Sequence, residues 1–167
     1  MYDYVLQYGF DKDTQKLVQK IKDYLKENKI KNEERDWLPH ITIDLYNCKD
    51  QETFINKLDN IIANINKFKI RFKNLNDFDA KTLYIEPFDT KELIKLKQIF
   101  NKELNEYRLE NRKNIIYKPH ITLCTNDDIN QSTYDLAHHI FNSFTGEIKY
   151  ILVYNENMEL IKQYELK

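Results

Sequence analysis

The chain has 167 residues, 41% hydrophobic, 13% aromatic and 32% charged, with 26 Lys and Arg against 27 Asp and Glu and a formal net charge of −1. That composition is of a soluble globular protein long enough to bury a core without a disulfide or a metal, and it excludes a disordered chain. Near-neutral charge excludes a protein that grips long nucleic acid chiefly by neutralising phosphates, while leaving room for a local basic cleft.

In chain order, Tyr4 to Tyr8 is rich in strand formers and is expected to end at Gly9. From Lys12 to Lys29, Leu17, Val18, Ile21, Tyr24 and Leu25 recur at helical spacing behind Asp11 and Asp13, which predicts an amphipathic helix. The polar loop "NEERDW" leads to a strand at Ile41 to Tyr46, a helix at Gln51 to Ile65 and a strand at Phe68 to Phe72. After the turn-like "NLNDFDAK", a strand at Thr82 to Glu86 meets Pro87, and a helix runs from about Thr90 to Tyr107. The loop "LENRKNIIYK" delivers one more strand, followed by a helix at Ile129 to Phe144, the strand "EIKYILVYN" and a closing strand at Leu160 to Leu166.

The order strand, helix, strand, helix, strand thus occurs twice, over about residues 4–72 and 82–154. Phe-Asp precedes a helix in both halves, at 10–11 and 88–89. A period this long suits a duplicated lobe and not a solenoid. No Gly/Ser/Pro-rich linker separates the halves, so they are expected to pack as one domain. The expected fold is α+β: a bilobal, pseudo-two-fold structure whose lobes are small, mostly antiparallel sheets with outer helices around a central groove.

Pro-His-Ile-Thr is written twice, as "LPHITIDLY" from Leu38 and "KPHITLCT" from Lys118, although the chain holds only four histidines and three prolines. The histidines, His40 and His120, are 80 positions apart. Chance placement of four histidines would give about 0.2 His-x-Thr tripeptides, so two at equivalent places in a repeat form a signal. On a strand, His40 and Thr42 share one face and Ile41 and Ile43 the other; His120 and Thr122 lie likewise against Ile121 and Leu123. If the lobes face each other, both imidazoles converge on the groove. Two imidazoles, one neutral and one protonated, suit acid–base work on a phosphate. The threonine hydroxyls can donate hydrogen bonds to oxygens that gain charge.

The pair His40-Ile41-Thr42-Ile43 and His120-Ile121-Thr122-Leu123 resembles the signature of the 2H phosphoesterase superfamily, which includes bacterial 2′-5′ RNA ligase-like proteins and RNA 2′,3′-cyclic phosphodiesterases. The stretches "TLYIEPFDTKELIKLKQ" and "LVYNENMELIKQYEL" are most similar to the small phosphoesterase branch found in Firmicutes. The resemblance covers essentially the whole chain. It implies a bilobal fold with a central groove, His40 as proton donor to the leaving oxygen and His120 as proton acceptor from water. In ligation, the reverse reaction, these roles exchange.

Around the motifs, Trp37, Tyr84 and Tyr117 are candidates to stack a base, worth ~1–3 kcal/mol. Arg35, Arg108, Arg112 and Lys118 could bring positive charge to a phosphate. His138 and His139 lack partners at ligand spacing and read as structural, and Cys48 and Cys124 read as reduced, buried thiols; no metal or cofactor is expected.

The function expected from sequence is a metal-independent phosphodiesterase acting on a 2′,3′-cyclic phosphate or a 2′-5′ linkage at an RNA end or in a small nucleotide. The alternatives are a hydrolase of a signalling oligonucleotide or of an ADP-ribose cyclic phosphate, and a nucleotide-binding module without turnover. With no apolar run long enough for a span and no basic-then-apolar start in "MYDYVLQYGF", a cytoplasmic monomer that binds neither DNA nor membrane is expected.

Overall fold

The computed structural model describes residues 1–32 and 37–167. Its strands are β1 (Tyr4–Phe10), β2 (His40–Tyr46), β3 (Phe68–Phe78), β4 (Thr82–Pro87), β5 (Ile121–Thr125), β6 (Phe144–Asn155) and β7 (Leu160–Glu165). Its α-helices are α1 (Lys12–Glu27), α2 (Gln51–Ile62), α3 (Lys91–Glu103) and α4 (Gln131–Ile140), with two short 3-10 turns between α3 and β5.

Three helix starts carry side-chain caps. Asp11, Asp50 and Asn130 accept from the backbone amides of Thr14, Thr53 and Thr133 at 3.1–3.2 Å, satisfying amides that the first turn leaves without partners. In the second Phe-Asp pair, Asp89 serves one position earlier, accepting from the amide of Lys91 at 3.0 Å, while Thr90 occupies the cap without a side-chain bond.

All neighbouring strands pair antiparallel, and their order is β2-β1-β6-β3-β4-β5, with β7 on β6. Exchanging the repeats turns β1, β2 and β3 into β4, β5 and β6, and this strand order then reads the same backwards. The helix contacts obey the same exchange, since α1 packs with α4 and α2 with α3. Each repeat lends its third strand to the other lobe. The two lobes are therefore not separate sheets: they join in one seven-stranded sheet through the short pairing of Phe68–Phe72 with Phe144–Ile148, centred on Ile70 opposite Gly146.

Strands β1 and β3 run longer than the sequence expectation. β1 continues through Gly9, whose role is close packing: a Cβ there would stand 3.0 Å from Leu152 Cδ1 on the neighbouring strand. The expected turn "NLNDFDAK" is instead strand as far as Phe78, and only Asp79, Ala80 and Lys81 make the bend into β4, the first two with positive φ (52° and 54°). Ladder pairing with β4 outweighs the weak strand propensity of Asn and Asp there. The helices α1 to α4 end two to four residues before the apolar periodicity does.

Candidate active site

β2 and β5 present the two motifs as strand parity predicts. Ile41, Ile43, Ile121 and Leu123 are at most 2% exposed, while His40, Thr42, His120 and Thr122 remain partly open on the other face. A one-residue register slip would exchange the imidazoles with these apolar side chains, at roughly 2 kcal/mol for each one expelled from the core. Both strands also bulge at the third position after the histidine. Leu6 and Gln7 pair with Asp44 and Thr42, skipping Ile43, and Leu83 and Tyr84 pair with Cys124 and Thr122, skipping Leu123.

The two histidines and two threonines line one open cavity of about 440 Å³, together with Gln7, Lys22, Asn32, Trp37, Phe78 and Arg112 among others. Each imidazole is anchored alike: His40 Nδ1 lies 2.8 Å from the Leu38 carbonyl, and His120 Nδ1 lies 2.7 Å from that of Lys118. A carbonyl can only accept, so each Nδ1 carries a proton, and any acid or base role would fall to Nε2. Aromatic rings flank both: Trp37 at 5.5 Å from His40, Phe78 at 4.8 Å and Tyr84 at 5.1 Å from His120, between ring centroids. Burial lowers the His40 pKa to about 4, with the charges of Lys22 and His120 adding to the effect and the bond to Leu38 opposing it.

The remaining candidates divide. Trp37 lies in the groove wall, its ring edge-on to Tyr154, and Lys22 Nζ donates to its carbonyl at 2.7 Å. Tyr84 does not reach the groove: it is 3% exposed, stacked on Phe78 at 4.3 Å, and it supports His120 instead of offering a face to a base. Tyr117 lines a second, smaller cavity beside the groove, and its hydroxyl donates to the Thr42 carbonyl at 3.1 Å, which fixes β2 behind the motif. Lys118 stands over the Phe78 ring beside the same smaller cavity. Arg35 lies outside the described residues. His138 and His139, on α4, are each beside a tyrosine ring, Tyr134 and Tyr24. Cys48 and Cys124 are buried free thiols, and burial pushes the Cys124 thiol up to about 11. Among the described residues no group of three or more His, Cys, Asp or Glu could hold a metal ion. No helix there is long and apolar enough to cross a membrane.

Sequence reading missed one feature of the site, a buried charge cluster. Asp44, 1% exposed, accepts from Arg112 Nε at 2.6 Å and from Arg108 Nε at 3.3 Å, and it pairs with Lys97 of α3. Burial alone would raise the Asp44 carboxyl, but its bonds to Lys97 and Arg112 outweigh that and hold it below its usual value. Burial lowers Lys97 to about 8, Asp44 pulling it up and the two arginines pushing it further down. Two signals mark the pair in the sequence: an acid inside the apolar strand "ITIDLY", and a lysine within the apolar stripe Leu93, Leu96, Phe100 of α3.

The model of the 2′-5′ RNA ligase superfamily matches residues 10–150. No curated protein matches the chain. Among solved structures, the chain is similar to TT0787 of Thermus thermophilus (TM-score 0.71, 8% identity, 98% of this chain and 97% of that one). It is also similar to LigT of E. coli complexed with 3′-AMP (TM-score 0.68, 10% identity, 99% and 98%) and to the same protein complexed with ATP (TM-score 0.65, 10% identity, 99% and 98%). At such identities the likeness is one of fold.

Proposed function

Because the chain belongs to the 2′-5′ RNA ligase superfamily, we propose that it is a metal-independent phosphodiesterase that opens a 2′,3′-cyclic phosphate, or cleaves a 2′-5′ phosphodiester, at an RNA end or in a small nucleotide. The observation that carries the reading is the convergence of His40 and His120 in one groove, each with Nδ1 bonded to a backbone carbonyl. Nucleotide binding by E. coli LigT, which has this fold, supports a nucleotide as the ligand.

In the hydrolytic step, water attacks phosphorus and its oxygen forms the new P–O bond. One imidazole, neutral at Nε2, takes the water's proton, and the other, protonated there, gives its proton to the ribose oxygen as the old P–O bond breaks. A phosphomonoester and a free ribose hydroxyl result, and proton exchange with solvent resets the pair. The Thr42 and Thr122 hydroxyls donate to the non-bridging oxygens, while Lys22 and Arg112 supply positive charge to the groove.

In this reading His40 donates and His120 accepts. Donation requires the bound phosphate to counter the burial that chiefly lowers His40, its negative charge favouring the protonated ring against that burial and the charge of Lys22. The same lowering favours a second reading with the order exchanged: a neutral His40 takes the water's proton. The test is to incubate the purified protein, with chelator present, with nucleoside 2′,3′-cyclic phosphates and 2′-5′ dinucleotides, and to identify the products by mass. Ring-opened monophosphates or cleaved dinucleotides are expected, and intact substrate throughout would remove the proposal.

A further inference from the structure

Three cations, Lys97, Arg108 and Arg112, converge on the single carboxylate of Asp44. Lys97 and Arg108 are each 8% exposed, and among the described residues none of the three pairs with any other acid. The cluster therefore holds two positive charges more than it neutralises, in surroundings where little water screens them. Arg112 binds Asp44 through Nε alone, and Asp44 is already occupied by the Leu45 amide at 2.9 Å as well. Such a surplus in a low-dielectric wall attracts an anion, and a guanidinium fork suits phosphate oxygens.

There is room for one. A cavity of about 200 Å³ opens against the cluster, with Lys97, Arg108, Arg112 and Lys118 in its lining. That space equals roughly six or seven water molecules. It adjoins the histidine groove, because Thr42, Phe78, Arg112 and His120 line both cavities.

We propose that this second cavity is an anion subsite for an additional phosphoryl group, so that the preferred substrate carries one phosphate beyond the scissile one. The inference rests on the phosphodiesterase reading of the groove and narrows its substrate class. The additional phosphate comes either from a terminal monoester or from the next phosphodiester of a chain; the chemistry recognised is the same.

Calorimetric titration of the full chain compares three product-like probes: adenosine 3′-monophosphate, adenosine 3′,5′-bisphosphate and a diadenosine dinucleotide ending in a 3′-phosphate. Either the bisphosphate or the dinucleotide should bind about tenfold more tightly than the monophosphate, and which one does so identifies the source. Lys97→Met and Arg112→Gln should each reduce that preference to near unity. Lys95→Met, which removes a 67%-exposed lysine from the same helix, should keep it. Circular dichroism checks that each variant is folded, and the more exposed Arg112 serves if the Lys97 variant is not. Equal binding of all three probes, or a preference that survives both cluster variants, would overturn the subsite and leave the phosphodiesterase reading intact. Binding of none of the probes would remove both.

Discussion

His40 and His120 are held by the same device: each Nδ1 bonds to the carbonyl two residues before it, Leu38 at 2.8 Å and Lys118 at 2.7 Å, and both rings line one cavity. The backbone that makes these bonds is supplied by the proline between, Pro39 or Pro119, which holds the residue before it in an extended conformation. The repeated Pro-His-Ile-Thr thus encodes anchor, imidazole, core contact and hydroxyl in four positions.

Burial and the charges of Lys22 and His120 lower His40 to about 4 from an ordinary 6.5. Between those values the unfolded chain binds a proton that the folded chain refuses. This contribution to stability is therefore complete above pH 6.5 and is lost as pH falls towards 4. Nitrogen-detected NMR should show the His40 ring neutral at pH 6. Urea titrations should show a smaller loss of stability from pH 7 to pH 5 in His40→Ala than in the parent chain.

Asp44 is the single acid among three cations, two of them buried. Asp44→Asn removes the charge that all three share, leaving unpaired buried cations, and should cost about 3–5 kcal/mol in denaturant unfolding. Lys97→Met leaves the carboxylate bonded to two arginines and should cost clearly less. Equal losses would show that the cluster is not organised around Asp44.

The bend between β3 and β4, residues 79–81 between the paired Phe78 and Thr82, places Asp79 and Ala80 at φ 52° and 54°, in the left-handed region that Asn and Gly adopt at least cost. Ala80 N donates to Asp77 Oδ1 at 2.6 Å and Lys81 N to the Phe78 carbonyl at 2.9 Å, which holds the turn against its own strain. Substituting Asn-Gly for Asp79-Ala80 should stabilise the chain by about 0.5–1 kcal/mol. Because Phe78 stands directly before the turn and packs on His120, thermal unfolding and the His120 NMR signal together show whether the site survives unchanged.

A substrate whose leaving group is acidic enough to depart without a proton separates the two histidines. His40→Ala should be largely rescued by it and His120→Ala should not. Rescue of His120→Ala alone would establish the exchanged order that the low His40 pKa favours. Equal rescue of both, or of neither, would contradict a division into one acid and one base.

The site was legible where it is written in local pattern. Strand parity put Ile41, Ile43, Ile121 and Leu123 in the core and His40, Thr42, His120 and Thr122 in the groove, and the repeat implied that the two would meet. What one sequence hid depends on which strands pair. Phe78 was expected in a turn and instead flanks His120, because β4 extends the ladder past the polar residues before it. Tyr84 and Tyr117 are aromatic like base platforms, yet the Tyr84 ring is packed against Phe78 and His120, and Tyr117 gives its hydroxyl to the Thr42 carbonyl. The groups around Asp44 lie 53 to 68 positions away along the chain, a separation that no local rule reads.

The central claim is two-histidine phosphodiester chemistry in the shared groove. Its most direct test is steady-state turnover of an RNA or nucleoside 2′,3′-cyclic phosphate by the parent chain, His40→Ala and His120→Ala, with EDTA present throughout. Turnover by the parent chain, a bell-shaped dependence on pH and a loss of ~10²–10⁴-fold in either variant is the predicted result. Turnover that survives in either variant on this substrate, or that needs an added divalent ion, would contradict it.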